Sequence, residues 1–398
     1  MKLAIINSHP IQYMVPLYKY MVDQYKDDIE IDVYYCSDHS VKGGYDSQFG
    51  VNLKWDIPLL EGYSYKFLKN YTPLKNPASR FLGMINPSIF SNLKKSKPDA
   101  VLIPGWSNLS YVICFFSALL LGIDIWVRLE TPLNQEVLKK SMLSRIKQVF
   151  LKRIYFKNVK RCLYIGNENK KFYQSMGVKN DKLFFTPYAV DNDRFSDEYT
   201  GNIDSKLRFR DELNIHRDAL VFMTSGKLMD KKRPLDLLKA FHLAKIPNSY
   251  LVFLGDGKLK KDLQDFAKHN DIANFTITGF KNQTELAPYF VASDVFVLCS
   301  GLGETWGLVT NEAMNFRLPV IISNRVGSAF DLIIEGKNGY KYEYADLNDL
   351  KSKMIFMSQF GKDRLHDMGN ESYKMIQNYS FENIGKGILK AANYKFNK

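Results

Sequence analysis

The sequence predicts an α/β chain built as two doubly wound, parallel-sheet domains. Short apolar runs of strand length alternate with helical patterns through both halves, the pattern of a parallel sheet covered on both faces. The chain has 398 residues, which suits two domains of ordinary size. A polar stretch rich in Asn, Asp, Gly and Ser, residues 187–210, separates the halves and is read as the inter-domain linker.

In the first half, residues 3–7 read as a strand, 15–25 as a helix and 31–36 as a second strand. Residues 37–87 are rich in Gly, Asn, Pro and Tyr. They are too long for a plain connection, so they are expected to carry function or short strands of their own. Alternation resumes with strands at 100–103, 123–129, 163–165 and 183–186. The uncharged run 100–123 is long enough to span a bilayer. Pro104, Gly105 and Asn108 interrupt it early and Gly122 late, which favours strand, loop and a buried helix over 109–121. The second half reads as strands at 220–224, 250–254, 275–278, 295–298 and 319–323. Helices are expected at 234–244, 259–269 and 284–292, from about 308, and at 381–394.

The hydrophobic content of 45% supports real cores, and the net charge of +13 favours acidic partners: nucleotide diphosphates, anionic lipid surfaces or nucleic acid. Four cysteines lie far apart without metal-ligand spacing, as expected of buried free thiols in a reducing compartment. The N-terminal apolar run is too short for a signal peptide, so a cytoplasmic protein is expected. The first strand is followed by Ser8-His9-Pro10 rather than a glycine-rich dinucleotide turn, which argues against a nicotinamide-dependent oxidoreductase. The basic excess is concentrated in one segment and no nucleic-acid module is recognisable.

The chemistry concentrates in Glu304-Thr305-Trp306-Gly307-Leu308 and the following residues to Glu312. Two carboxylates stand eight positions apart. With a helix starting near Gly307, Glu304 lies in the loop before it and Glu312 inside it. Free amides at a helix start favour anions, and carboxylates accept hydrogen bonds from sugar hydroxyls. Upstream, Ser225-Gly226-Lys227 to Lys232-Arg233-Pro234 joins a strand to a helix. It presents two lysines at the carboxyl edge of the sheet, where open α/β sheets bind ligands. Gly255-Asp256-Gly257 and Thr278-Gly279-Phe280 close two further strands.

As an ordered set over residues 165–350, these stretches resemble the retaining glycosyltransferases of family 4, with their Glu-x7-Glu motif and GT-B fold of two Rossmann-like domains facing across a cleft. The resemblance implies an acceptor domain over 1–190, a nucleotide-sugar donor domain over 191–375, and a terminal helix within 376–398 crossing back to the first domain. It implies that Lys227, Lys232 and Glu304 serve catalysis. Gly226, Gly279, Phe280, Thr305, Trp306, Gly307, Leu308 and Glu312 then bind the donor, with Glu312 on the ribose. Lys227 and Arg233 stand where the family usually has Arg and Gly, and Arg317 also replaces a usual Gly, which puts the local helix cap in doubt. Pro187-Tyr188-Ala189-Val190-Asp191 resembles the family's linker signature, so Asp191-Asn192-Asp193 is not read as a metal site. No metal or cofactor is expected; the nucleotide sugar is the substrate.

His9-Pro10-Ile11-Gln12-Tyr13 and the segment from Asp56 to Gly62-Tyr63 resemble a subset of bacterial enzymes linked to surface polysaccharides. His9 either meets an acceptor or the leaving phosphate, or is satisfied by loop backbone. His9, Gln12, Arg128 and Glu130 are the acceptor candidates, with a structural Arg128–Glu130 ion pair as the alternative. Residues 139–161 hold nine Lys/Arg and no acid, and Leu138, Met142, Leu143, Ile146, Val149, Phe150 and Ile154 recur at helical spacing. This stripe faces either the core or an anionic membrane, so the partners expected are a UDP-type donor, a glycan or lipid-linked acceptor, and the inner face of the plasma membrane. The other class of function is a nonenzymatic subunit that binds a nucleotide or a partner enzyme.

Overall fold

The computed structural model describes residues 1–46, 51–74 and 81–394. They form two compact units. The first comprises Met1–Gly44, Ile57–Tyr188 and Phe381–Lys398; the second comprises Tyr45–Asp56 and Ala189–Ser380.

The strands of the first half are β1 (Lys2–Asn7), β2 (Glu30–Tyr35), β3 (Gly44–Asp46), β4 (Val51–Leu53), β5 (Ser64–Phe67), β6 (Ala100–Ile103), β7 (Asp124–Val127), β8 (Arg161–Tyr164) and β9 (Leu183–Phe185). Those of the second half are β10 (Leu220–Ser225), β11 (Ser249–Leu254), β12 (Phe275–Ile277), β13 (Val295–Leu298), β14 (Val320–Ser323) and β15 (Gly339–Tyr342). The first unit holds a seven-stranded sheet in the order β5-β2-β1-β6-β7-β8-β9, and the second a six-stranded sheet in the order β12-β11-β10-β13-β14-β15. All pairings in both sheets are parallel. The central strands are near-continuous apolar runs because helices cover both faces; β6, β13 and β14 are buried at every position. In each sheet the strand order reverses once, between β1 and β6 and between β10 and β13. Such switch points open a crevice at the carboxyl edge, where ligands bind.

The long region 37–87 carries β3, β4, β5 and a short 3-10 turn, Phe81–Gly83; residues 47–50 and 75–80 lie outside the described residues. Tyr63, at the end of the Asp56–Tyr63 segment, is buried and shares a 2.7 Å hydrogen bond with the Tyr35 hydroxyl. The uncharged run resolves as β6 followed by the helix Leu109–Leu121. Asn108 caps it by accepting the Tyr111 amide at 3.1 Å, and Gly122 ends it in the left-handed region (φ 68°). Among the described residues no helix is long and apolar enough to cross a membrane. All four cysteines are buried free thiols, and burial pushes the Cys36 thiol up to about 12.

The two units divide at Tyr188/Ala189, inside the stretch 187–210, but that stretch is not an irregular linker. Most of it is helical: Asn192–Asn202, then Lys206–Glu212 beyond a 3-10 turn. Asp191 caps the first helix by accepting the Arg194 amide at 3.1 Å. Phe195 and Tyr199, four residues apart, face inward, and both are buried. The polar residues that suggested a linker are that helix's solvent face. The expected helix 284–292 also splits, into a 3-10 turn with an Asn282–Glu285 capping box and the helix Ala287–Ala292, which has proline in its first turn.

Arg210, at 1% exposure, anchors the second unit. It donates to the carbonyls of Ala292 (2.9 Å), Arg217 (2.7 Å) and Ala219 (3.0 Å), and to Asp294 at 2.7 Å. Asp294 also receives Lys206 at 2.7 Å and the Val221 amide at 2.8 Å, which fixes the start of β10. Arg210→Ala leaves Asp294 and three carbonyls short of partners. It is expected to lower unfolding free energy by about 3 kcal/mol or more, read as a lower urea midpoint for the second unit.

Candidate functional site

Most donor-site residues of the sequence reading gather at the switch point of the second unit, on the loops after β10 and β13, while Gly279 and Phe280 lie after the edge strand β12. β10 ends at Ser225, and Gly226 turns the chain at φ +130°, its amide donating to the Leu254 carbonyl at 2.9 Å. The loop closes through the 3-10 turn Asp230–Lys232 into the helix Pro234–Ala244. From this turn, Lys232 Nζ reaches Glu304 Oε2 at 2.6 Å and Lys231 Nζ stands 3.7 Å from the same oxygen. Glu304 is 8% exposed. Burial pushes its carboxyl up, but Lys232 and Lys231 outweigh it and hold the group below the usual range. A Cβ built on Gly226 would lie 3.5 Å from Lys232 Cε, so this lysine packs directly over the turn. Lys227 is half-buried in the same loop.

The loop after β13 is clamped by backbone. The Gly327 amide donates to the Glu304 carbonyl and the Ser328 amide to the Trp306 carbonyl, both at 3.3 Å. A side chain at 327 would fall 1.8 Å from the Thr305 carbonyl oxygen. Gly307 has φ +88°, with Leu298 and Val326 3.0 and 3.1 Å from where a Cβ would be. The helix Val309–Asn315 follows, with Glu312 at 2% exposure in its first turn. At seven residues it is short. Leu308 and Thr305 are half-buried. Trp306 is different: its indole is 2% exposed, donates to Asn311 Oδ1 at 2.9 Å and packs on Tyr379. Its side chain supports the loop from within.

Gly279 (φ +74°) follows β12 and bridges to Gly255, and Phe280 meets Trp55 edge-on with ring centroids 6.4 Å apart. Asp191 is occupied as a helix cap, and among the described residues no cluster of metal-ligating side chains occurs.

The acceptor candidates lie in the first unit. His9 follows β1, beside the β1/β6 switch point. Its Nδ1 stands 3.0 Å from Ser8 Oγ, and its ring is 4.4 Å from that of His39, which is held the same way by Ser37 at 3.1 Å. Burial, then the neighbouring His39, lower His9 to about 4. Gln12 is half-buried in the turn before the helix Val15–Tyr25. Arg128 is 7% exposed and donates to the Pro187 carbonyl at 3.0 Å, its guanidinium 5.0 Å from the Tyr188 ring. Glu130 hydrogen-bonds Tyr188 as well. Three functional candidates were missed by the sequence reading. Lys231 is hidden in a Lys-Lys pair, His39 is marked only by a Ser-x-His after β2, and Trp55 lies far away in sequence from the loop it touches.

The basic segment folds as the helix Met142–Phe150, a π-turn Leu151–Tyr155 and a last turn Phe156–Asn158. The core takes Leu151, Tyr155 and Phe156. Of the two readings of the stripe, the core-facing one does not hold for Leu138, Met142, Ile146, Val149 and Ile154, which all face solvent, Met142 at 79%. Phe150 packs partly against the core. Lys139 and Lys147 pair with Glu136, both at 2.7 Å. Lys140, Arg145, Lys152, Arg153, Lys157 and Lys160 are exposed.

Two parallel sheets of seven and six strands, with cationic and acidic loops meeting at the second sheet's switch point, are the architecture of the GT-B fold. Residues 205–375 match the family model described as Glycosyl transferases group 1. A galactosyltransferase of Escherichia coli, named for UDP-Gal and an α-D-GlcNAc-diphosphoundecaprenol acceptor, is 27% identical over 67% of this chain and 67% of its own. The chain spans between 30% and 67% of the length of the first curated relatives it matches. Among solved structures, a glycosyltransferase of Rickettsia africae superposes with TM-score 0.75 at 13% identity, covering 99% of each chain. Anabaena HepE in complex with UDP and glucose superposes with TM-score 0.72 at 15% identity, over 98% of this chain and 99% of that one.

The depressed histidine gives a signed pH effect. His9 is neutral when folded down to about pH 4, whereas the unfolded chain takes up a proton near pH 6.5. Its contribution to stability is therefore fully present above pH 6.5 and is lost as pH falls towards 4, at up to about 1.4 kcal/mol per pH unit. Thermal melts between pH 7.5 and 4.5 are expected to show a shallower acid decline for His9→Gln than for wild type.

Proposed function

We propose that this protein is a retaining glycosyltransferase that moves a sugar from a nucleotide-diphosphate sugar, UDP-sugar favoured, to a glycan or lipid-linked acceptor in cell-surface polysaccharide synthesis. The observation that carries the proposal is the meeting of Lys232 and Lys231 with buried Glu304 at the β10/β13 switch point. Breaking the anomeric C–O bond leaves negative charge on the diphosphate. Lys227, Lys231 and Lys232 stabilise that charge in a partly dry site, where fixed charges act most strongly. Glu304 orients the sugar through its hydroxyls, and Glu312 binds the ribose. The acceptor oxygen bonds to the anomeric carbon on the face the diphosphate leaves, and the acceptor proton passes to a leaving phosphate oxygen. No protein nucleophile is required. The E. coli relative's name and the UDP and glucose held by HepE support the choice of donor and of a lipid-linked acceptor.

The acceptor's lipid would be met at a membrane. Exposed Met142, Ile146 and Val149 fall on one face of the helix, flanked by exposed Arg145 and Arg153. This arrangement suits shallow insertion among anionic headgroups. We assign the protein to the inner face of the plasma membrane as a peripheral enzyme, with the first unit taking the acceptor.

Hydrolysis of UDP- and GDP-sugars measures the donor reaction directly. Lys232→Ala is expected to lower turnover about 100-fold, with Glu312→Ala also impaired. Turnover equal to wild type in both variants sinks the site, and calorimetry without nucleotide binding would favour a nonenzymatic subunit. Vesicle sedimentation tests the membrane face. Phosphatidylglycerol vesicles are expected to bind the wild type, 0.5 M salt to weaken that binding, and Ile146→Asp with Val149→Asp to abolish it.

A further inference from the structure

Three glycines line up along the carboxyl edge of the second unit's sheet. A Cβ on Gly255 would fall 2.1 Å from the Gly226 carbonyl oxygen, and Gly255 pairs with Gly279. The loops after β10, β11 and β12 therefore touch backbone to backbone. They form a glycine ledge that runs from the lysine loop to the edge strand β12, with the Lys232 and Asp256 side chains beside Gly226 and Gly279. Two strand spacings make that ledge roughly 10 Å long.

At its outer end stand Trp55 and Phe280, their rings inclined at 65°. Trp55 arrives on the segment Tyr45–Asp56, which belongs to the second unit although it comes from the first half of the chain. Both neighbours of Trp55 are fixed. Asn282 Nδ2 donates to the Lys54 carbonyl at 2.7 Å, and the Thr284 amide and hydroxyl donate to the Asp56 carboxylate at 3.0 and 2.5 Å. The other three tryptophans pack inward: Trp126 and Trp306 are sealed, and Trp106 lies among Tyr155, Phe156 and Phe172. Trp55 alone combines a half-buried ring with exposed neighbours on both sides.

We propose that Trp55 is an aromatic wall of the nucleobase pocket. The inference rests on the nucleotide-sugar reading above. With the diphosphate on the lysine loop, the ribose crosses the glycine ledge and the base lies against the indole. A π-face accepts any base, so Trp55 adds affinity, and base selection is left to hydrogen-bonding groups.

UDP titration tests this. UDP is expected to quench the intrinsic fluorescence of the wild type, and Trp55→Phe to remove most of that quench. By calorimetry, Trp55→Ala is expected to weaken UDP and ADP alike by about tenfold and to leave inorganic pyrophosphate affinity unchanged. Wild-type UDP affinity in Trp55→Ala overturns the proposal, as does quenching that survives in Trp55→Phe. Parallel loss of pyrophosphate and UDP affinity overturns it too, since that outcome marks a purely structural role. Absence of any UDP binding by the wild type is a separate result that fails the nucleotide-sugar reading itself.

Discussion

The switch point of the second unit is organised around the buried carboxylate of Glu304. Taking a carboxylate out of water costs several kcal/mol unless it is paired, and Glu304 is almost wholly enclosed. Lys232 and Lys231 supply the compensation. Because the lysines follow β10 and the glutamate follows β13, the pairing tethers the two strands that flank the switch point. A shift of either loop strands a charge in the interior. The same atoms therefore hold the crevice open at a defined width and set its electrostatics, and folding and chemistry share a constraint.

Close backbone contact is the second constraint, and it explains where this chain keeps glycine and where it does not. Gly255, Gly257 and Gly327 each have a carbonyl oxygen where a side chain would begin, so no other residue fits without moving a loop. Arg233 and Arg317 stand at positions usually held by glycine, and both are left-handed, at φ 49° and 52°. Each is compensated through its side chain. Arg233 pairs with Asp236 and lies over the Tyr344 ring. Arg317 lies between the rings of Tyr199 and Tyr373, at 4.8 and 4.9 Å, and donates to Asn370 at 3.2 Å. Cation–π contacts and hydrogen bonds of this kind offset a backbone cost of order 1–2 kcal/mol.

Much of the fold was legible because parallel strands buried on both faces leave uninterrupted apolar runs, as in Val295–Leu298 and Val320–Ser323. The polar loops that interrupt them hold the proposed site, so the places of Gly226, Lys232, Glu304 and Gly307 after strands could be read from the sequence. What escaped depends on tertiary placement. The helix Asn192–Asn202 buries only a few apolar residues and so resembles a linker in composition. Trp306 lies inside the right motif but turns its indole inward to Asn311. The apolar stripe of the helix Met142–Phe150 has a period that tells of amphipathicity, but only the packing of Leu151 and Tyr155 shows which face is left outside.

The first unit is assembled from three pieces of chain, the last being Phe381–Lys398. Its helix docks so closely that Gly385 and Gly387 leave no room for a Cβ against Tyr25 and the Phe185 carbonyl. Arg161 also donates to the carbonyls of Ala391 and Tyr394, at 2.9 and 2.8 Å. On the ribosome, the amino-terminal sheet is synthesised early yet must wait for the second unit to be made before it can bury that flank. Its maturation is thus tied to synthesis of the segment from Phe381 onward, and a nascent chain stalled before residue 381 would present chaperones with an unfinished Rossmann layer.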